Sequence, residues 1–250
     1  MKINSEVKKL YSRRKYFVKI RRNLKTKSNY WSKVRQDPDG KIRLRFSKKE
    51  RVNFKKNNLG IIKKINKLKG TSVLDVGCGN GNMLSYLSKK FKKFGIDIDD
   101  NAIKVSQKYG VIFKKDLNRK IILPKKYDII IIYHVIEHLK EPIKFLNNIL
   151  KYLKKGGYIV LGTPDFDSAM ARMYGNNFRM LHDKTHISLF TYESLCRLFR
   201  FMKLKIIEVD FPYFETTYFN KKEINKLFNK KKNIVSPPFY GSVINFILKK

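Results

Sequence analysis

Cysteine is almost absent from this chain: Cys78 and Cys196 are the only two. Two cysteines build neither a disulfide framework nor a zinc cluster, and they suit a reducing compartment, so a cytoplasmic location is expected. Long apolar runs are missing as well. No stretch approaches the roughly 18 residues that crossing a bilayer takes. The opening MKINSEVKKLYSRRKYFVKIRR carries charge but no apolar segment, so no secretory signal is expected. Acidic residues are few, 20 against 57 Lys and Arg, which leaves a net charge of +37. Histidine is scarcer still. All four lie in two short stretches, His134 and His138 in YDIIIIYHVIEHLK and His182 and His186 in LHDKTHISLF.

The basic excess invites a polyanion, because cations gain affinity by releasing counterions from phosphates. Its make-up points elsewhere. Lysine far outnumbers arginine, runs along the whole chain and accompanies much Ile, Asn, Phe and Tyr, residues that share A/T-rich codons. Readers of nucleic acid favour arginine for bidentate and stacking contacts. Solvated surface lysine therefore accounts for the charge better than a nucleic-acid partner does. At 250 residues and 42% hydrophobic content, the chain suits one α/β domain plus an extra segment.

Residues 1–70 lack strand-like alternation and read as a basic, mainly helical cap segment. SKKERVNFKKNNLGIIKKINKL opens with a Ser cap and a Glu three residues later, and Val52, Leu59, Ile62, Ile65 and Leu68 fall near helical spacing. Before it, Asp-Pro-Asp-Gly reads as a turn, and Tyr30 and Trp31 read as anchors for the segment or as aromatics laid over a ligand. From residue 71 the pattern becomes regular. SVLDVG, KFGIDI, VIFKKD, YDIIIIY and YIVLGTP read as strands alternating with helices, followed by the helix TYESLCRLFRFM and the strands LKIIEVDF and SVINFILKK. Such alternation implies a mostly parallel sheet covered on both faces, with ligands at the carboxyl ends of its strands.

VLDVGCGNGNM is the most informative stretch. Gly77 and Gly79 allow a tight turn and close backbone approach to a ligand, and a helix start follows. The spacing is G-x-G-x-G with Asn82 where a dinucleotide fingerprint has its last Gly. Asp75 on the strand is a poor neighbour for a pyrophosphate and a good one for a cation. Asp97 ends the second strand, twenty residues past Gly77, where an acid can take both ribose hydroxyls. Asp116 ends the third strand, where it can accept from an adenine amino group, and Ile98 and Leu117 can sandwich the purine. The pocket suits an adenosine bearing a positive, amino-acid-like tail, as in S-adenosylmethionine (SAM).

VLDVGCGNG, GIDIDD, KKD, YDIIIIYHVIEHL and LKKGGYIVLGTPD, in this order, resemble the motifs of class I SAM-dependent methyltransferases. The resemblance covers residues 71–250 and implies a Rossmann-like fold, a seven-stranded mostly parallel sheet with an antiparallel last strand. It implies SAM as cofactor, with Asp75, Gly77 and Gly79 in its loop, Asp97 on the ribose, Asp116 and Leu117 at the adenine, and Tyr133 near the methionine moiety.

His134, Glu137 and His138 leave the fourth strand where the family places the transferring methyl group, and His182 and His186 come from a loop that overhangs the same mouth. A hydroxyl acceptor needs a base near neutrality, which makes His134 and His186 the candidate catalytic residues. An alternative has His134, Glu137, His138 and His186 bind a divalent metal, like the E-x-x-E-H element of ubiquinone-pathway O-methyltransferases and small-RNA 2′-O-methyltransferases. Here His134 replaces the first Glu, so metal binding is not favoured. His138 also has a structural reading, bonded to backbone to fix its loop. Asp165, Phe166, Arg172, Tyr174, Phe178 and Arg179 suggest an acceptor wall for a ring bearing anionic groups or a lipid headgroup, or else a lid packed by its own aromatics. A basic helix and a Pro-Pro turn before the last strand resemble methyltransferases that accompany surface-polysaccharide and lipid-glycan enzymes. The expected activity is methyl transfer to a hydroxyl of a small-molecule, glycan or lipid-linked acceptor. RNA 2′-O-methylation and a catalytically silent SAM-binding partner are the alternatives.

Overall fold

The isoleucines at 129–132 are explained by their place in the sheet. The computed structural model describes residues 16–20, 34–37, 42–214, 216–228, 235–238 and 240–250. Within it β1 (Ser72–Val76), β2 (Lys92–Asp97), β3 (Val111–Lys114), β4 (Tyr127–Tyr133), β5 (Leu153–Pro164), β6 (Lys205–Asp210) and β7 (Val243–Lys249) form one sheet, ordered β6-β7-β5-β4-β1-β2-β3. The strands from β1 to β5 pair in parallel, and β7 runs antiparallel to both β5 and β6. This is the expected seven-stranded, Rossmann-like arrangement with its antiparallel last strand.

The helices are α1 (Lys48–Asn57), α2 (Leu59–Lys67), α3 (Asn82–Tyr86), α4 (Asp100–Ser106), α5 (Pro142–Ile149), α6 (Ala169–Tyr174), α7 (Arg179–His182), α8 (Tyr192–Phe201) and α9 (Lys221–Phe228). Successive strand side chains point to opposite faces, so a central strand must be apolar throughout. Ile129 and Ile131 pack with Val73, Val160 and the α2 residues Ile61, Ile62 and Ile65. Ile130 and Ile132 pack with Leu74, Val76 and Leu161, and with Phe145 and Ile149 of α5 and Leu195 and Phe199 of α8. Each such buried side chain contributes roughly 1.5–3 kcal/mol relative to exposure, which fixes the register of β4 and the height of its carboxyl end. At its other end Asp128 ties β4 to β1, accepting from Ser72 N (3.0 Å) and Ser72 Oγ (2.6 Å). Burial alone would raise the Asp128 carboxyl; these bonds and Lys154 hold it well below the usual range instead.

The N-terminal segment departs from its expected form in three respects. The helix begins as expected, with Ser47 Oγ accepting from Glu50 N at 3.1 Å, but it breaks at Asn58 (φ −119°) into α1 and α2. Val52 is exposed, while Ile62 and Ile65 are buried. Strands Val34–Gln36 and Ile42–Leu44 form an antiparallel hairpin around the Asp-Pro-Asp-Gly stretch, of which only Asp37 falls within the described residues. Tyr30 and Trp31 lie outside the described residues. Among the described residues, no helix is long and apolar enough to cross a membrane.

Candidate cofactor cavity and catalytic dyad

One cavity of about 530 Å3 opens over the carboxyl ends of β3, β2, β1 and β4, a size suited to a cofactor-class ligand. Asp75, next to last in β1, is buried to 3% exposure. The chain then turns through Gly77 (φ 69°) and Gly79 (φ 53°), left-handed conformations that favour glycine. A Cβ on Gly77 would also come within 2.7 Å of Val135 Cγ2. The loop is pinned to β2, where Cys78 N donates to Ile96 O at 2.9 Å.

Asp97 organises the floor. Its Oδ2 accepts from Gly79 N (2.8 Å), and its Oδ1 from Ile98 N (2.8 Å) and Asp99 N (3.0 Å). Three bonds on two oxygens leave acceptor capacity toward the cavity. Burial pushes the Asp97 carboxyl up, against the pull of those backbone donors. Burial, with Asp97 nearby, pushes Asp75 up to about 8. Two carboxyls costly to ionise in the same wall are poised for a cation, whose arrival restores the charged form. Ile98, Asp116 and Leu117 line the cavity beside them, and Asp116 Oδ1 accepts from Asn118 N at 2.9 Å. Asp75, Gly77, Asp97, Ile98, Asp116, Leu117 and Tyr133 are thus brought to one cavity, and Gly79 supports it through Asp97.

The fourth strand ends in strained backbone. His134 has φ 56°, a region in which His is enriched among non-glycine residues, and its N–H donates to Gly162 O at 2.8 Å. That conformation turns the imidazole into the cavity mouth while Nδ1 meets Glu137 Oε1 at 3.1 Å. Glu137 is fully buried, and Thr163 Oγ1 donates to its other oxygen at 3.0 Å. Burial works to raise the Glu137 carboxyl; the His134 hydrogen bond and the surrounding imidazoles win and hold it well below the ordinary carboxylate range. An ionised carboxylate only accepts, so His134 Nδ1 carries the proton and Nε2 is left as the basic nitrogen.

His138 also lines the mouth, and its Nδ1 donates to Thr185 O at 3.1 Å. His186 behaves differently from His134. Its loop does return to the mouth, bringing its ring 4.9 Å from that of His138, but the imidazole lies beneath the surface and does not line the cavity. Its Nδ1 donates to Met180 O at 2.6 Å, and burial, with His138 alongside, pushes its pKa down to about 4. The imidazole therefore stands behind the cavity wall rather than in it. The second histidine group otherwise stays apart, with His182 Nε2 donating to Asn176 O at 3.0 Å.

Glu137, His138 and His186 place one ligand atom each within 4.8 Å of the others, a donor set that fits a divalent transition metal. His134, the fourth residue of that alternative, instead directs Nδ1 at Glu137. The supposed acceptor wall turns inward: Phe166, Tyr174 and Phe178 bury themselves in a small core of their own with Met170 and Leu189. Arg172 pairs with Asp167 at 2.7 Å, buried Arg179 lies 3.9 Å from Asp37, and buried Asp165 is pushed up to about 6. None of the six lines this cavity.

The far wall comes from the N-terminal segment, where the sequence suggested only Tyr30 and Trp31 as aromatics that could lie over a ligand. Asp37, Arg45, Glu50, Phe54 and Asn58 line it. Asn58 Oδ1 accepts from Tyr133 Oη at 2.8 Å, and Arg45 O accepts from Asn80 Nδ2 of the glycine loop at 3.2 Å. The spacing of Glu50, Phe54 and Asn58 was a usable signal, since residues four apart share a helix face.

A sequence model of the family described as "Methyltransferase domain" matches residues 30–209. The chain belongs to this methyltransferase family. The match begins well before residue 71, so it takes in the hairpin and the helices that wall the cavity. The ubiquinone biosynthesis O-methyltransferase of Leptothrix cholodnii is 26% identical over 109 residues, covering 40% of this chain and 46% of that protein. The chain spans about half the length of the curated relatives it matches. A SAM-dependent methyltransferase from Archaeoglobus fulgidus shares the fold, with a TM-score of 0.57 at 22% identity over 80% of this chain and 94% of that one. So does the plantazolicin methyltransferase BpumL, in complex with a desmethylPZN analog and SAH, with a TM-score of 0.54 at 21% identity over 82% and 86% of the two chains.

Proposed function

We propose that the chain is a SAM-dependent methyltransferase acting on a hydroxyl of a small-molecule, glycan or lipid-linked acceptor, with His134 as general base. One observation carries this reading. The His134–Glu137 dyad sits at the mouth of the same cavity whose floor presents Asp75, Asp97 and Asp116. The residues fit the cofactor by charge and by capacity. Asp97 has lone pairs left for ribose hydroxyls, Asp116, Ile98 and Leu117 flank a purine, and the acidic floor meets a cationic centre. Bound there, SAM supplies an activated methyl group and leaves as a neutral thioether. His134 Nε2 takes up the proton that the acceptor hydroxyl releases, and Glu137 stabilises the imidazolium that forms. Tyr133, fixed by Asn58, and the α1 face hold the reactants together, which is where much of the rate of such a displacement originates.

Residues 71–250 are taken as the cofactor-binding domain and residues 1–70 as its cap. The reading puts the reaction in the cytoplasm, in keeping with Cys78 and Cys196 both being free. The test is incubation with methyl-labelled SAM and fractionated lipid, glycan and RNA extracts. Label entering a base-stable ether in the glycan or lipid fraction, lost in His134→Ala and retained after chelation, is the expected result. Label in RNA would move the acceptor to a polynucleotide, the reading that the +37 charge favours. SAM binding without transfer to any fraction would leave a silent binding partner.

A further inference from the structure

Beyond the cavity, the chain leaves β6 on a stretch whose apolar residues are not used to build the core. Residues 211–232 read FPYFETTYFNKKEINKLFNKKK, with six aromatics and six lysines against two glutamates. Among the described residues Phe214 is the most exposed large apolar side chain, at 72%, and Phe211 and Phe219 stand 47% and 46% exposed. Lys221 and Lys222, which open α9, are exposed as well. Apolar residues scattered singly over a surface need no explanation, but a contiguous patch marks an interaction site.

This patch is contiguous. The rings of Tyr213, Phe214 and Phe219 lie 5.1–5.4 Å apart in each pairing, and Phe211 lies 5.8 Å from Tyr192 of α8. It is also anchored, because Asn57 Oδ1 of α1 accepts from Thr217 N (3.0 Å) and from Thr217 Oγ1 (2.8 Å). Register places it at the cavity end of the sheet. Asp210, Asn245, Gly162 and Tyr133 stand in one row across β6, β7, β5 and β4, so residue 211 departs from the level at which Tyr133 lines the cavity.

We propose that residues 211–222 form a docking surface for an anionic lipid bilayer, the phenylalanines entering the interface and the lysines meeting the headgroups. Charge and shape select this occupant. A second copy would bring another net charge of +37 against the first. The three rings close on one another and leave no cleft for the anchoring side chain on which a protein interface centres, whereas a bilayer interface yields around them. Every cation of residues 211–232 is a lysine, a point charge that suits a diffuse negative surface better than the paired oxygens of a carboxylate or a phosphodiester. Apolar insertion and attraction to anionic headgroups add in such binding. The docking uses no residue of the cavity, so it stands or falls independently of the proposed function.

The experiment is co-sedimentation of the full chain, at physiological salt, with vesicles of phosphatidylcholine alone and of phosphatidylcholine mixed with phosphatidylglycerol. Wild type is compared with Phe214→Ser, with Lys221→Glu/Lys222→Glu, and with Lys151→Glu/Lys155→Glu, a pair of exposed lysines at the amino end of β5. Phe214→Ser keeps the charge and removes a side chain outside the core, and circular dichroism checks each fold. The expected result is binding to the mixed vesicles only. Phe214→Ser and the Lys221/Lys222 pair each weaken it by about tenfold or more, and the Lys151/Lys155 pair changes it by less than about threefold. Wild type left in the supernatant with mixed vesicles overturns the proposal. Equal losses for the two lysine pairs assign the binding to diffuse charge and overturn it as well. Phe214→Ser binding as tightly as wild type leaves the patch to a protein partner, and a wild-type dimer in vesicle-free sedimentation that Phe214→Ser dissolves gives it to a second copy; either result also overturns the proposal.

Discussion

Asp97→Asn tests the interaction on which the proposed cofactor recognition depends. In the native chain both carboxylate oxygens are committed to backbone donors at 2.8–3.0 Å, Oδ2 to the glycine loop and Oδ1 to the start of α4. An asparagine can keep its oxygen on Ile98 and Asp99, but its amide then faces the Gly79 N–H, donor against donor. Two effects follow. A ribose hydroxyl loses a charged acceptor, a bond worth about 1.5–3 kcal/mol, and the loop loses the tie that holds Gly79 in place. The substitution should therefore weaken S-adenosylhomocysteine binding by roughly 10- to 150-fold or more. Stability should change less, because removing a buried carboxyl that burial pushes up offsets part of the lost Gly79 bond. Calorimetry reads the affinity and thermal denaturation reads the fold. A folded variant that binds the ligand within twofold of wild type would refute the assignment of Asp97 and, with it, the placing of the cofactor across β2.

Two further outcomes follow from the same geometry. Asp75 is pushed up to about 8 from an unfolded value near 4, so between those limits the folded chain binds more protons than the unfolded one. Its contribution is fully present below about pH 4 and is lost as pH rises through 8. Asp75→Asn should therefore gain thermal stability relative to wild type on going from pH 6 to pH 9, measured by melting without ligand; a relative loss over that interval contradicts the buried-acid account. Glu137→Gln places an amide against His134 and Thr163, which either misdirects the imidazole proton onto Nε2 or leaves a buried partner unmet. Methyl transfer should fall by about 10²- to 10⁴-fold with S-adenosylhomocysteine affinity kept, and a variant of full activity would remove His134 from the role of base.

The sheet was legible because its constraints are local and repeated. A strand buried on both faces has to read as Ile129–Ile132 does, and parallel neighbours need helices between them, which Asp99 and Pro142 punctuate at their starts. The carboxyl ends then followed from direction alone, so Asp75, Asp97, Asp116 and His134 could be placed from spacing. The hairpin was not legible. Its strands Val34–Gln36 and Ile42–Leu44 are three residues each, too short for alternation to register, and two of the six residues are arginine. Nor was the break at Asn58, whose non-helical backbone is set by long-range partners: its side chain meets Tyr133 of β4 at 2.8 Å.

Aromatic and imidazole rings near the mouth posed a harder problem, because sequence gives their location along the chain but not which way they face. Phe166 and Phe178 stack edge-on at 5.8 Å and satisfy each other, so a stretch rich in ligand-like residues proved to be packing. His186 was drawn to the right neighbourhood and then enclosed there by Met180 and Phe166. The difference between His134 and His186 is one of backbone. A left-handed residue at the end of a buried strand turns its side chain out of the sheet, whereas a residue whose N–H bonds Asp183 O at 3.1 Å is folded back beneath its own loop. What the motifs determine is the half of the cavity built by the strand ends and the glycine loop. The other half is built by residues that reach it only through tertiary contacts, Arg45 by Asn80 and Asn58 by Tyr133, so changes of specificity should map to that wall rather than to the glycine loop.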